Sequence, residues 1–413
     1  MDTNKKRAVI TGIGAITPVG NSVEDAWKSL IAGKHGFAPV TKLDTEGMKV
    51  TIGGEVKGFE YEDKREARRM DLFVQYGIRA TEEALQMSGL LSGDNVEPER
   101  LAVYAGSGIG GIMTLEREIV KAYEHGPKRV TPLLAPLIIT NILAGQIAIK
   151  YGAKGTALGI VTACATGTDA LGHALLAIRR GEADAVIAGA SEAPFALATF
   201  AGFENMTAMS KSDDPDRASI PFDAERSGFI MGEGAGILIV EELEHAKARG
   251  AAILAELVGY GSTCDAYHIT QPEETGEGAA NAIRLALASA EMSPDEISYI
   301  NAHGTSTPYN DLVETRAVKT VFGRKAYDIP MSSTKSMTGH LLGAAGSTEA
   351  IYCVKAIAGG VIPPTIGHKV KDEKLDLDYV TEGARTVDVE VAMSNSLGFG
   401  GHNASIILRK FTE

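Results

Sequence analysis

Cys164 stands in the stretch VTACATGTDALG and is one of only 3 cysteines in the chain. Before it, GTALGIV reads as a central strand; after it, Ala170, Leu171, Ala174, Leu175 and Ile178 recur at helical spacing. That order puts the thiol in a strand-to-helix turn, the setting of the serine in a nucleophile elbow. Free N–H groups and the positive end of the helix dipole favour a thiolate there, and the same amides could hold an oxyanion. A cysteine taken alone is most often a small buried hydrophobe, so catalysis requires partners.

Two histidines have a fitting context. His303 lies in YINAHGTSTPYND, directly after a strand and before a helix whose cap would be Asn310 or Asp311. His340 lies in SSTKSMTGHLLGAAGS, a polar, glycine-punctuated segment leading into a helix from Glu349 to Ala358. Sites in parallel sheets gather at the carboxyl ends of strands, where both segments end. Lys335 shares the second segment, and if buried beside histidines it would bias their protonation. His125, His173, His245, His268 and His368 lack such a setting and read as surface or packing residues. GSGIGG matches G-x-G-x-x-G at Gly106, Gly108 and Gly111, but no acid follows about 20 positions on to hold a ribose, which sets nucleotide binding aside.

The elements that must carry these groups alternate between strand and helix. Ala8 to Thr11 reads as a strand stopping at Gly12-Ile13-Gly14; Ser22 with Asp25 caps a helix carrying Trp27 and Leu30, and Gly33 closes it. A long helix from near Asp71 precedes a strand from Leu101 to Ala105. Such alternation implies parallel sheets covered on both faces. ITGIG resembles LVGYG, and EEALQMSGL…LAVYAGSG has the order of RLALASAEM…ISYINAHGT, so the chain reads as two similar halves, 1–250 and 251–413.

The totals agree with a soluble globular α/β protein, since 44% hydrophobic and 23% charged residues are ordinary values. A net charge of −13 disfavours nucleic acid and anionic membrane surfaces as partners. The local exception is DKREARRMD, a basic cluster that is ordinarily a solvated helix face. MDTNKKRAVITG contains no long apolar region and is not a signal peptide. TPLLAPLIITNILAGQIAIKYG is broken by Pro132, Pro136, Thr140, Asn141 and Gln146, short of the ~20 apolar residues of a bilayer span, and reads as buried or as an oligomer contact. Cys164, Cys264 and Cys353 have no CxxC spacing, which argues against a disulfide framework or a zinc site and for a reducing cytoplasm.

TACATGTDA around Cys164, NAHGTSTPYND around His303, STKSMTGHLLGAAGSTEA around Lys335 and His340, and NSLGFGGHNAS near the end together resemble the β-ketoacyl-[acyl carrier protein] synthases of the thiolase superfamily. The likeness covers essentially the whole chain in the family's order. A Cys-His-His set is similar to the elongating enzymes, and Ile109 in GSGIGG is similar to synthase II.

The resemblance implies a thiolase fold, duplicated α/β halves in a five-layered αβαβα arrangement, working as a homodimer. It implies a decarboxylating Claisen condensation in fatty acid elongation, in which an acyl group on cysteine is extended from malonyl-carrier protein with release of CO₂. No cofactor is implied, because the phosphopantetheine arm arrives on the acyl carrier protein; a structural cation near Glu349 or Asn301 would be compatible. Cys164 would be the nucleophile, with its own N–H and that of Phe399 as oxyanion hole. His303 and His340 would hydrogen-bond the enolate, and Lys335, partnered by Glu349, would set their charge state. Phe399, among Gly398, Gly400 and Gly401, would be the gate, with Ile109 facing it at the mouth of the acyl pocket and Gly400 beside the substrate.

Thr305 and Thr307 would bind the phosphopantetheine arm, and Thr270 would do so nearer the entrance. Arg65, Arg68 and Arg69 would dock the acidic carrier. The chain departs from the family at Thr207, where some relatives have an arginine, at Leu397 beside the gate, and at His402. A polyketide-type ketosynthase, a degradative thiolase and a non-catalytic partner subunit remain as alternatives.

Overall fold

In the computed structural model the described residues are 6–413, so the first five residues of the N-terminal reading lie outside them. The strands of the main sheet, numbered along the chain, are β1 Ala8–Ile16, β2 Leu101–Gly106, β3 Ala157–Leu158, β4 Ala185–Glu192, β5 Gly234–Glu242, β6 Ala255–Cys264, β7 Tyr299–Asn301, β8 Met331–Ser332, β9 Val391–Gly398 and β10 His402–Arg409. Their order across the sheet is β8-β7-β9-β10-β6-β1-β5-β4-β2-β3. The last five strands therefore repeat the order of the first five position by position. The pairing directions repeat too: β2 is parallel to β3 and β4, as β7 is to β8 and β9, and the remaining pairs in each set are antiparallel.

The purely parallel sheet expected from alternation is thus corrected to a mixed one. The connection 193–233 leaves and re-enters the sheet at the same end, and β9 turns directly into β10, so the returning strand runs antiparallel in both cases. Two local expectations also change. β1 continues through Gly12 and Gly14 to Ile16; these glycines let the helix backbone approach, since a Cβ on either would lie about 2 Å from a main-chain oxygen, Ala84 O (2.1 Å) or Ala80 O (1.9 Å). GTALGIV, read as a central strand, contributes only the two exposed residues of β3 at the sheet edge, because no strand among the described residues lies beyond it.

The main helices are α1 Val23–Ile31, α2 Leu72–Ser88, α3 Ile112–His125, α4 Ile142–Tyr151, α5 Thr166–Arg179, α6 Glu277–Ala290, α7 Pro308–Phe322 and α8 Ala345–Gly359. Ser22 caps α1 by accepting from Asp25 N at 3.2 Å, as its sequence signals, and Asp71 caps α2. α7 is capped by Thr307 with Pro308 at its first position, not by Asn310 or Asp311, which lie inside the first turn and are buried. α8 starts at Ala345, one turn earlier than expected.

Helices α5 and α8 are buried on nearly every side, which places them inside the molecule. Their side chains share one core with strand residues from both sets, such as Val186 and Leu238 on one side and Ala392 and Ile406 on the other. The opposite sheet faces pack on α2 and α4 in one case and on α6 and α7 in the other. The result is five layers, helix-sheet-helix-sheet-helix, with the sheet halves joined only where Ala8–Ile10 meets Ala255–Leu257. Each fully buried leucine or isoleucine of the middle layer, such as Leu175 or Ile351, contributes ~1.5–3 kcal/mol.

Candidate active site

The segments that follow the carboxyl ends of β3, β7 and β8 carry the three candidate reactive side chains, Cys164, His303 and His340. Cys164 sits in the single 3₁₀ turn Ala163–Ala165 that opens into α5. Ala163 takes a left-handed φ of 51°, and Thr166 Oγ1 ties the bend by accepting from Thr162 N (2.9 Å) and donating to Ala163 O (2.8 Å). His303 follows β7 directly, and the ends of its segment are fixed from α7: Glu314 accepts from His303 N and Gly304 N, each at 2.8 Å. His340 is held between Ile230 O, which accepts its N–H at 2.7 Å, and Gly232 N, which donates to its carbonyl at 2.9 Å.

Cys164, His303 and His340 line one cavity of about 340 Å³, together with Phe399, Thr270, Thr305, Thr307, Phe203, Phe229 and Leu342. The two imidazoles meet edge to face, centroids 5.2 Å apart at 85°, and Phe229 stands edge-on to His340 at 5.4 Å. Thr305 and Thr307 hydroxyls are 3.0 Å apart. The departures Thr207 and Leu397 also line the cavity, whereas His402 pairs with Gly398 across the hairpin.

Lys335 stands behind this wall, 1% exposed, in an ion pair with Glu349. Phe399 forms the turn between β9 and β10 with Gly400 and Gly401, whose φ values of 83° and 76° are left-handed, and its ring lies 6.1 Å from that of Phe203. Gly400 is outside the cavity wall and donates its N–H to Ile269 O at 2.8 Å. Ile109 packs against the apolar cluster that contains Phe195, Phe200 and Leu342, on which Phe203 also packs, and the Phe203 ring is in turn the neighbour of the Phe399 ring. Arg65, Arg68 and Arg69 lie on and after the short helix Lys64–Ala67, exposed and without ion-pair partners among the described residues.

Burial dominates the electrostatics. It pushes the Cys164 thiol up to about 11, against the opposing pull of the Phe399 N–H, Lys335 and the thiol's own N–H. Burial thus opposes the thiolate that the helix terminus favours. Burial and the charge of Lys335 hold both imidazoles well below 6.5, and His303 is lowered further by His340. Glu314 and Glu349 are pushed up to about 7 by burial, against His303 and Gly304 amides in the first and Lys335 in the second.

Nδ1 of His303 and of His340, both side-chain polar atoms of Asn301, Glu349 Oε2 and Ser394 Oγ are buried without a hydrogen-bond partner among the described residues. No group of three or more His, Cys, Asp or Glu side chains there is arranged to hold a metal. No helix among the described residues is long and apolar enough to cross a membrane. Sequence reasoning missed Glu314; its signal was an acid on the buried side of α7, beside Asp311 and Thr315.

Two family models match the chain, the β-ketoacyl synthase N-terminal domain over residues 5–246 and its C-terminal domain over residues 254–369. The chain is 48% identical over 412 residues to 3-oxoacyl-[acyl-carrier-protein] synthase 2 of Staphylococcus aureus (strain N315), covering 99% of both chains. It is 47% identical over 411 residues to the protein of the same name from Synechocystis, covering 98% of this chain and 99% of that one. Among solved structures it is similar to a type II polyketide ketosynthase in complex with its acyl-carrier protein (TM-score 0.92, 35% identity, 98% of this chain and 100% of that one). It is also similar to a β-ketoacyl synthase from Burkholderia phymatum (TM-score 0.91, 33% identity, 98% and 100% covered).

Proposed function

The chain belongs to the β-ketoacyl synthase family, and from that membership we propose how its residues share the work of a decarboxylating condensation. The enzyme is an acyltransferase of fatty acid biosynthesis that joins acyl-[acyl carrier protein] to malonyl-[acyl carrier protein], giving 3-oxoacyl-[acyl carrier protein], CO₂ and free carrier. The observation that carries the division of labour is one cavity lined by the Cys164 thiol and the His303 and His340 imidazoles.

In the first half-reaction the Cys164 sulfur attacks the acyl thioester. Its proton, held by a thiol with a pKa near 11, passes to the departing phosphopantetheine sulfur, so one thioester replaces another. The oxyanion is assigned to the N–H groups of Cys164 and Phe399, a reading supported by both amides favouring negative charge at the sulfur. In the second half-reaction the malonyl C–C bond breaks, CO₂ leaves, and the electron pair remains as an enolate. Neutral His303 and His340 donate hydrogen bonds to its oxygen. The enolate carbon then attacks the acyl-cysteine carbonyl, and collapse of the tetrahedral intermediate expels the Cys164 thiolate, which takes one proton from solvent to restore the starting thiol.

Lys335, held by Glu349, keeps the imidazoles neutral. Thr305, Thr307 and Thr270 receive the phosphopantetheine arm, and Phe399 gates the passage on its glycine hinge. Ile109 shapes the acyl side through Phe203 and Leu342, and Gly400 supports the gate. No organic cofactor is assigned; Asn301 and Ser394, adjacent across β7 and β9, with Glu349 offer oxygen donors that fit a hard structural cation.

Residues 1–250 supply the nucleophile and 251–413 the histidines, two equivalent halves with the repeated strand order described above. Arg65, Arg68 and Arg69 form a positive edge that orients the acidic carrier protein. The enzyme works as a homodimer in the cytoplasm, where free Cys164, Cys264 and Cys353 remain reduced. A polyketide-type ketosynthase of the same chemistry is the second reading, favoured by the polyketide neighbour above; acyl donors of graded length separate the two. Cys164→Gln tests the assignment of roles, because its amide imitates the acylated thioester. We expect it to release CO₂ from malonyl-carrier protein while forming no 3-oxoacyl product by mass; a variant that released no CO₂ would overturn the assignment.

A further inference from the structure

Glu192 closes β4 with a fully buried carboxylate that no step above uses. Its Oε1 accepts from Ser107 Oγ at 2.6 Å and Ile109 N at 3.1 Å, and its Oε2 from Gly108 N at 2.8 Å and Gly343 N at 2.9 Å. Three of these donors are main-chain N–H groups, which can only donate. Ser107 Oγ itself accepts from Gly110 N at 2.9 Å, which turns its hydrogen toward the carboxylate. An ionised carboxylate satisfies all four contacts, and no lysine or arginine pairs with it among the described residues. Burial raises the pKa of this carboxyl and the hydroxyl and three amides oppose that rise, so the anion is costly to bury and what it joins must be worth holding still.

The GSGIGG loop thereby has an occupant for its amides, and the occupant is an internal carboxylate. A Cβ on Gly108 would come within 2.9 Å of Glu192 Oε2, and one on Gly343 within 2.7 Å of the same oxygen. Two glycines from distant parts of the chain thus close on one atom. On one side of the clamp Ile109 packs against the apolar cluster that contains Leu342 and on which Phe203 also packs, both of these lying in the cavity wall. On the other, Gly343 lies in the turn Leu342–Ala344 that joins His340 to α8. The Cys164 elbow abuts the same point, with Ala163 O 3.5 Å from the position of a Cβ on Gly108.

We propose that Glu192 is a positioning residue that locks the Ser107–Gly110 loop to the Leu342–Ala344 turn and so sets the wall against which a long acyl chain on Cys164 must fit. This rests on the ketosynthase reading. Glu192→Gln puts an amide NH₂ where one pair of donors needs an acceptor, which frees the loop. Ser107→Ala removes one donor and leaves the three main-chain contacts.

The test measures transfer of butanoyl and hexadecanoyl groups from acyl carrier protein to Cys164 by intact-protein mass. For Glu192→Gln the hexadecanoyl rate should fall about tenfold or more, the cost of buried donors left without a charged acceptor. The butanoyl rate should stay within about threefold. Ser107→Ala should shift the ratio in the same direction by a smaller factor, and it decides alone if Glu192→Gln fails to fold. Equal losses at both chain lengths, or none, would overturn the proposal only. Absence of any acyl transfer to the unaltered enzyme would overturn the ketosynthase reading together with it.

Discussion

Residue by residue, the site is a set of ionisable groups driven toward neutrality, and their contributions to stability oppose one another. His303 and His340 are held well below 6.5, so below that pH the unfolded chain binds protons that the folded one refuses, and stability falls as pH falls. Glu314 and Glu349, raised from 4.5 to about 7, hold protons in the folded state across that interval. Their contribution is complete below 4.5 and is lost as pH rises through 7. Removing one histidine unbalances the sum in a known direction. His340→Asn should lose less stability than the unaltered enzyme between pH 6.5 and 5, by up to about 2 kcal/mol for one proton over that span. Urea titrations at the two pH values measure this, and parallel losses would refute it. Cys164, His303 and His340, which share one cavity, could be singled out in the sequence because residue type and turn context coincide at each. Glu192 and Glu314 were not, since most of their partners are main-chain amides, which carry no residue signature.

The elements explain why such distant residues converge. Cys164 lies between β3 and α5, and Lys335 and His340 occupy the corresponding stretch between β8 and α8. His303 lies between β7 and α7, where the first set of strands has GSGIGG between β2 and α3. In both of the latter loops a buried carboxylate gathers backbone amides, Glu314 in one and Glu192 in the other. Strand-to-helix alternation was readable from periodicity, whereas strand direction depends on whether a connection crosses the sheet, which periodicity does not encode. The thiol's placement depends on the bend at Ala163, whose φ of 51° costs an L-residue about 1–2 kcal/mol. A β-branched side chain there is worse. Ala163→Val should lower stability by about 2 kcal/mol and slow Cys164 acylation, while Ala163→Gly keeps the acylation rate. Denaturation midpoints and acyl-transfer rates read the two effects, and a fast, stable valine variant would show that the elbow needs no such bend.

For the whole molecule, the β3 edge is the margin of the sheet that a partner would cover. β3 leaves unpaired backbone groups at one margin of the sheet, and Leu158 and Val161 are 44% and 46% exposed where the chain runs on toward Cys164. Ile149 on α4, which packs against β3, is 76% exposed, and Tyr123 on α3 is 93% exposed. An apolar margin of this kind calls for a partner, and a second copy meeting it across a twofold axis would pair the edge and bury these side chains at once. GTALGIV, peripheral in one chain, would then lie inside the assembly, which accounts for its strongly strand-like composition. Because β3 leads directly into the elbow, loosening the interface should also loosen the nucleophile. Leu158→Asp should convert a dimer into a monomer in sedimentation and reduce Cys164 acylation about tenfold or more, the loss of a buried anchor plus an uncompensated charge. Sedimentation of the unaltered protein as a monomer at micromolar concentration would remove the homodimer from the proposed function. A Leu158→Asp variant that stayed dimeric and fully active would place the interface on some other face.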